Sequence, residues 1–179
     1  MQEPTSDAAL DLNQLVIRQV TEADLPALEW QGEYTKYRRM FASLYKESRN
    51  GRNLLWVVTL PEGEIIGQVF VMLKSSEQEA ADGQTRAYIF AFRVKTSWRS
   101  RGVGVHLMKF VEKDLRSRGF KFVTLNVSKD NHGALRLYKR LGYKVIGSRS
   151  GSWSFRDHEG NLQHVHEPAW RMIKGLHGN

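Results

Sequence analysis

The chain has 179 residues and a formal net charge of +8, with 41% hydrophobic and 26% charged residues, the make-up of one folded domain and not of a disordered chain. It contains no cysteine, which excludes a disulfide scaffold, a thiolate metal site and a cysteine nucleophile. No apolar run approaches the roughly 20 residues that cross a bilayer, and the opening MQEPTSDAALDLNQ is polar and acidic, so a cytoplasmic protein without a membrane partner is expected.

Residues 1–13 lack periodicity and read as a flexible lead-in. Residues 15–20 read as a short strand. Thr21 then stands at an N-cap with Asp24 three residues on, an imperfect capping box, and a helix is predicted through Leu28 and Trp30. A second helix over 34–47 gathers Tyr37, Met40, Phe41, Leu44 and Tyr45 on one face. Residues 54–60 and 65–74 form a hairpin about the turn Pro61-Glu62-Gly63-Glu64, residues 75–83 a polar loop, and residues 85–95 another strand. The clearest helix follows at 103–119, where Val103, Leu107, Val111 and Leu115 recur at spacing four and Gly119 closes the end. Then come a near-continuously apolar strand at 120–127, an amphipathic helix at 131–141 ended by Gly142, a strand over 143–150 and 153–155, a turn at 157–161, and a last strand at 162–173. Hairpins followed by a strand–helix–strand crossover predict a mixed sheet with helices on both faces.

The charge is unevenly spread. Residues 93–149 carry 15 basic and 3 acidic side chains, net +12, whereas residues 1–92 carry 9 basic and 13 acidic. Inside the basic third lies Val94-Lys95-Thr96-Ser97-Trp98-Arg99-Ser100-Arg101-Gly102-Val103-Gly104-Val105, a strand end, a loop with two arginines, and two glycines in the first turn of a helix. Glycine allows close backbone approach, and a helix N-terminus offers free N–H groups and partial positive charge, which together suit a phosphate or pyrophosphate. The Arg-x-x-Gly-x-Gly spacing is neither the dinucleotide fingerprint nor a P-loop, and taken alone it also fits a loop packed tightly on a neighbour.

A second block, Asn131-His132-Gly133-Ala134-Leu135-Arg136-Leu137-Tyr138-Lys139-Arg140-Leu141-Gly142-Tyr143, follows the glycine loop and the strand Val123-Thr124-Leu125-Asn126-Val127. Loop and block together, in this order and spacing, resemble the GNAT superfamily of acyl-CoA-dependent N-acyltransferases over about residues 88–147. The resemblance implies an α/β (α+β) fold: a mixed, largely antiparallel seven-stranded sheet, splayed in the middle, with helices on both faces, forming a single acetyltransferase domain over 14–176. It implies acetyl-CoA as co-substrate, its pantetheine arm lying in the splay against the backbone of Phe92, Arg93 and Val94. The loop Arg99, Ser100, Arg101, Gly102, Val103, Gly104 and Val105 would hold the pyrophosphate, and Asn131 would touch the pantetheine. Tyr138, a phenol protonated at neutral pH, would donate to the departing thiolate.

The strand Tyr88-Ile89-Phe90-Ala91-Phe92-Arg93-Val94 lacks the carboxylate that many members of that superfamily use as a base. Glu33, His164, His166 and Glu167 stand as alternatives, as does an amine that arrives neutral. His164 and His166 share a strand face, with His158 across a turn, yet a polar strand face is the plainer reading and no metal is expected. Trp30, Tyr34, Tyr37 and Trp153 either line an acceptor pocket or belong to the core, and Arg38 and Arg39 read as a solvated face. The function expected is acetyl transfer to a primary amine of a small molecule or peptide. The alternative is a silent acyl-CoA-binding module that acts as a sensor. No nucleic-acid-binding motif accompanies the basic segment, and a homodimer stays open.

Overall fold

The computed structural model describes residues 10–177, so residues 1–9 of the expected lead-in lie outside the described residues. Residues 10–13 are packed: Leu12–Gln14 forms a 3-10 turn, the Asp11 carboxylate accepts from the Asn13 N–H at 3.0 Å, and Leu10 and Leu12 rest on the core.

In chain order the regular elements are β1 (Val16–Gln19), α1 (Arg38–Arg49), β2 (Asn53–Thr59), β3 (Ile65–Met72), β4 (Arg86–Val94), α2 (Val103–Ser117), β5 (Phe122–Ser128), α3 (His132–Arg140), β6 (Lys144–Arg149), β7 (Ser152–Arg156), β8 (Leu162–His166) and β9 (Ala169–Gly175). Seven strands form one sheet in the order β1-β2-β3-β4-β5-β9-β6, antiparallel throughout except for the parallel pair β4 and β5. The mixed, largely antiparallel seven-stranded sheet expected from the sequence is present.

Side-chain alternation sends each strand to two cores. Leu54, Trp56 and Val58 of β2 pack with Val103, Leu107, Val111 and Leu115 of α2 and with Tyr138 of α3, whereas Leu55 and Val57 pack with Phe41 and Leu44 of α1. Helices therefore cover both faces, and β2 and β3 are buried almost throughout. Across the first core, Glu112 of α2 is buried and takes Lys174 of β9 as its ion-pair partner. That pairing offsets the desolvation of a carboxylate that would otherwise be very costly to bury.

Three departures have physical causes. The helix expected from Thr21 is a 3-10 segment, Glu22–Glu29, with Pro26 inside it, where an α-helix would press the proline ring against the Glu22 carbonyl. Its start is held by Asp24, which accepts from the Thr21 N–H at 2.7 Å and from Arg18 of β1 at 2.6 Å. The Arg18 guanidinium is the main reason the Asp24 carboxyl is lowered to about 2. The helix expected over 34–47 begins later, after the 3-10 turn Thr35–Tyr37. Both C-terminal strands divide: 143–155 becomes β6 and β7, and 162–173 becomes β8 and β9, with Pro168 breaking the ladder between the latter two. As a result β7 and β8 leave the main sheet as a separate hairpin, with Trp153 stacked on Tyr37 at 6.4 Å and the Phe155 ring tilted against it at 4.9 Å.

Leu107 has no exposed surface at the centre of the α2 face. Leu107→Ala is expected to lower unfolding free energy by about 2–5 kcal/mol, read as a shifted urea midpoint with an unchanged slope.

Candidate active site

The central parallel pair is short. β4 and β5 pair from Arg86–Phe122 to Ile89–Leu125 and then part. β4 continues against β3 as far as Gly67–Val94, and β5 continues against β9 as far as Ser128–Ala169. The parting coincides with a bulge in β4, where Ala91 has φ +50 and the register to β3 shifts between Gln68 and Phe70. Residues 90–94 thus face β5 without a strand partner among the described residues. Backbone N–H and C=O groups on such an edge need a partner from elsewhere.

β4 leads directly into the glycine loop. After a 3-10 turn at Thr96–Trp98, Ser100 has φ +60 and Gly102 has φ +85 as the N-cap of α2. Among the described residues no side chain caps this helix, which leaves the first-turn N–H groups of Val103, Gly104 and Val105 available to an acceptor. A Cβ on Gly104 would lie 3.1 Å from Cζ of Phe92, so glycine there lets the helix sit close against β4. The Arg99 Nε donates to the Val94 carbonyl at 2.9 Å, and the Arg101 guanidinium lies 5.1 Å from the Trp98 ring. Both arginines are exposed and add formal charge to the same mouth.

Across the splay, Asn131 caps α3: its Oδ1 accepts from the Ala134 N–H at 3.1 Å, which turns its own amide group outward. Tyr138 is buried in α3, 6.2 Å from the Phe92 ring and 5.8 Å from Tyr143. Burial, with a smaller contribution from Tyr88, pushes its phenol well above the usual range, so it is a proton donor at any physiological pH. The sequence reading missed two residues here. Asn126 of β5 donates to the Tyr88 Oη of β4 at 3.3 Å, bridging the strands just where they separate. A polar residue inside an apolar strand was the one clue to Asn126.

Arg93 departs from the other expected contacts. Its backbone belongs to the splay, but its side chain turns to the α1 face, over Tyr34 at 3.5 Å and Trp30 at 4.7 Å. Trp30, Tyr34, Tyr37 and Trp153 form one aromatic chain on that face. Glu33, His164, His166 and Glu167 are all exposed. The Ser154 and Ser152 hydroxyls bond His164 and His166 at 2.7 and 2.8 Å, so both imidazoles share one face of the hairpin. Among the described residues no group of three or more metal-ligating side chains gathers. Arg38 donates to Glu29 at 2.9 Å on the surface. No helix among the described residues is long and apolar enough to cross a membrane.

The model of the acetyltransferase (GNAT) family matches residues 17–143, and the chain belongs to that family. It is 31% identical over 104 residues to probable N-acetyltransferase 14 of Xenopus tropicalis, a stretch covering 58% of this chain and 47% of that protein. It is 32% identical over 99 residues to the N-terminal acetyltransferase A complex catalytic subunit ard1 of Schizosaccharomyces pombe, covering 54% of each. The chain thus spans about half the length of the curated relatives it matches. In fold it is similar to Ard1 from Thermoplasma volcanium, with a TM-score of 0.70 at 22% identity over 92% of this chain and 99% of that one. It is also similar to a spermidine N-acetyltransferase from Vibrio cholerae solved with CoA and spermine, with a TM-score of 0.68 at 17% identity over 92% of this chain and 96% of that one.

The raised phenols carry a pH consequence. In the unfolded chain Tyr138 ionises near 10, whereas in the fold it stays protonated well beyond that. Its contribution is therefore fully present below pH 10 and is lost as pH rises above it. Urea midpoints are expected to fall between pH 9 and 11, and less steeply in Tyr138→Phe; parallel falls would contradict this.

Proposed function

We propose that residues 14–176 act as a single N-acetyltransferase domain that moves an acetyl group from acetyl-CoA directly to a primary amine. The observation that carries this reading is the unpartnered edge of β4 opening beside the uncapped N-terminus of α2. Acetyl-CoA fits that donor set. Its pyrophosphate needs several convergent N–H groups and positive charge, supplied by Val103, Gly104, Val105 and the loop of Arg99, Ser100, Arg101 and Gly102. Its pantetheine amides need a strand-like edge, supplied by the backbone of Phe92, Arg93 and Val94, with the Asn131 amide from the facing loop. The co-substrate supplies an acyl group activated as a thioester.

Four requirements fall on this chain. The loop and strand edge fix the donor so that the amine meets the carbonyl carbon in one orientation, an advantage of several kcal/mol. A backbone N–H near the β4 bulge polarises the carbonyl oxygen as charge grows there. Tyr138 holds its proton until the carbon–sulfur bond breaks, donates it to the departing sulfur, and takes back the proton that the amine releases. The amine loses its proton to water or to a carboxylate or imidazole near the mouth, and the Tyr88–Asn126 pair offers a polar path through the sheet at that point. Burial raises the Tyr88 phenol too, which makes it a relay and not a standing base at neutral pH.

Among acceptors, the relative described as the catalytic subunit of an N-terminal acetyltransferase complex lends weight to a peptide N-terminus. A silent CoA-binding module is disfavoured by Tyr138, whose hydroxyl serves no internal hydrogen bond among the described residues while that of its neighbour Tyr143 is sealed in the core.

Two variants test the site. Tyr138→Phe is expected to lower kcat by about tenfold to a hundredfold with acetyl-CoA binding unchanged; an unaltered kcat removes its role. Gly104→Val forces a branched side chain against Phe92 and is expected to weaken acetyl-CoA binding at least tenfold by calorimetry, with the circular dichroism spectrum retained. An amine panel that gives tight CoA binding without turnover would favour the silent module.

A further inference from the structure

The bulge at Ala91 has a second effect. It sends Phe92 and Val94 to the α2 core and Arg93 to the opposite face, where the guanidinium is ringed by Tyr34 at 3.5 Å, Trp30 at 4.7 Å and Phe41 at 5.8 Å. No carboxylate forms an ion pair with it among the described residues; after burial, the Tyr34 phenol bears on the guanidinium most strongly, and exposed Glu33 acts on it through space. Aromatic faces satisfy the face of a guanidinium, not its in-plane N–H donors. The Arg93 Nε and Nη2 are enclosed without a hydrogen-bond partner, as are Trp30 Nε1 and Oε1 of Gln68, the residue opposite Arg93 in β3.

Unspent donors on a desolvated charge are expensive, and a planar anion is the group that matches an Arg edge two bonds at a time. The cover over this cluster is itself under tension. Trp30 and Gln31 both have positive φ, 45 and 58, in succession before Gly32, a conformation that costs about 1–3 kcal/mol at each non-glycine position.

We propose that Arg93 is a specificity-determining residue that binds a carboxylate carried by the acceptor, admitted when the Trp30–Gly32 segment swings aside. This rests on the acetyltransferase reading and narrows it to amines that bear a carboxylate close by. A polyamine, with cationic groups only, is the acceptor Arg93 would repel.

The test uses short peptides with a free N-terminus in which Glu is placed at the first, second or third residue, each matched by Gln. Binding to the full chain saturated with CoA and acetylation with acetyl-CoA are both measured. One Glu peptide is expected to bind, and to be acetylated, at least tenfold better than its Gln match, with the gain in KM. Arg93→Gln is expected to erase the preference and Arg93→Lys to keep part of it, each read as the Glu-to-Gln ratio within the same variant. Equal binding of every Glu and Gln pair to the unmodified chain overturns the proposal, whether or not the variants fold. Turnover without preference defeats this inference and leaves acetyl transfer standing, whereas preferential binding without turnover on any acceptor does the reverse.

Discussion

The parting of β4 and β5 sets the geometry of everything around it. A parallel pair inside a sheet normally runs on until its strands end, because each lost rung leaves backbone groups without partners. Here the pairing stops at Ile89–Leu125 while both strands continue against their outer neighbours. The gap survives because each strand keeps its outer neighbour and one core under α2 spans both halves, taking in Val69 and Ile89 on one side and Val123, Leu125 and Met172 on the other. The ion pair between Glu112 and Lys174 ties α2 to β9 across the divide.

Placed at that gap, α2 turns a structural cost into a binding feature. Its N-terminus has no capping side chain among the described residues, and part of the positive charge gathered in residues 93–149 lies in exposed arginines at this mouth and along the solvated flank of the helix. Lys109, Lys113 and Arg116 lie on that flank, and Arg118 pairs with Asp114 at 2.7 Å, so part of the basic excess is an ordinary charged surface.

The features legible in the sequence are those governed by local rules. The α2 stripe, its glycine start and the hairpin of β2 and β3 all follow from periodicity and turn chemistry within a few residues. What stayed hidden depends on contacts between distant segments. The face taken by Arg93 depends on a bulge at Ala91, which simple alternation does not foresee. The Tyr88–Asn126 bond joins residues 38 apart in the chain. Pro26 and Pro168 were visible as residues, but their effect, a 3-10 segment and a broken ladder, emerged only with the partners they could not serve.

The detached β7–β8 hairpin has a consequence for how such a domain changes over time. It shares no rung with the main sheet among the described residues and meets Tyr37 through the rings of Trp153 and Phe155. Opening it disturbs few interactions beyond its own, so its free energy of local unfolding is largely decoupled from that of the sheet. Residues there can be exchanged at little risk to the core, which lets the outer wall on the α1 side drift while the donor machinery on the other face stays fixed.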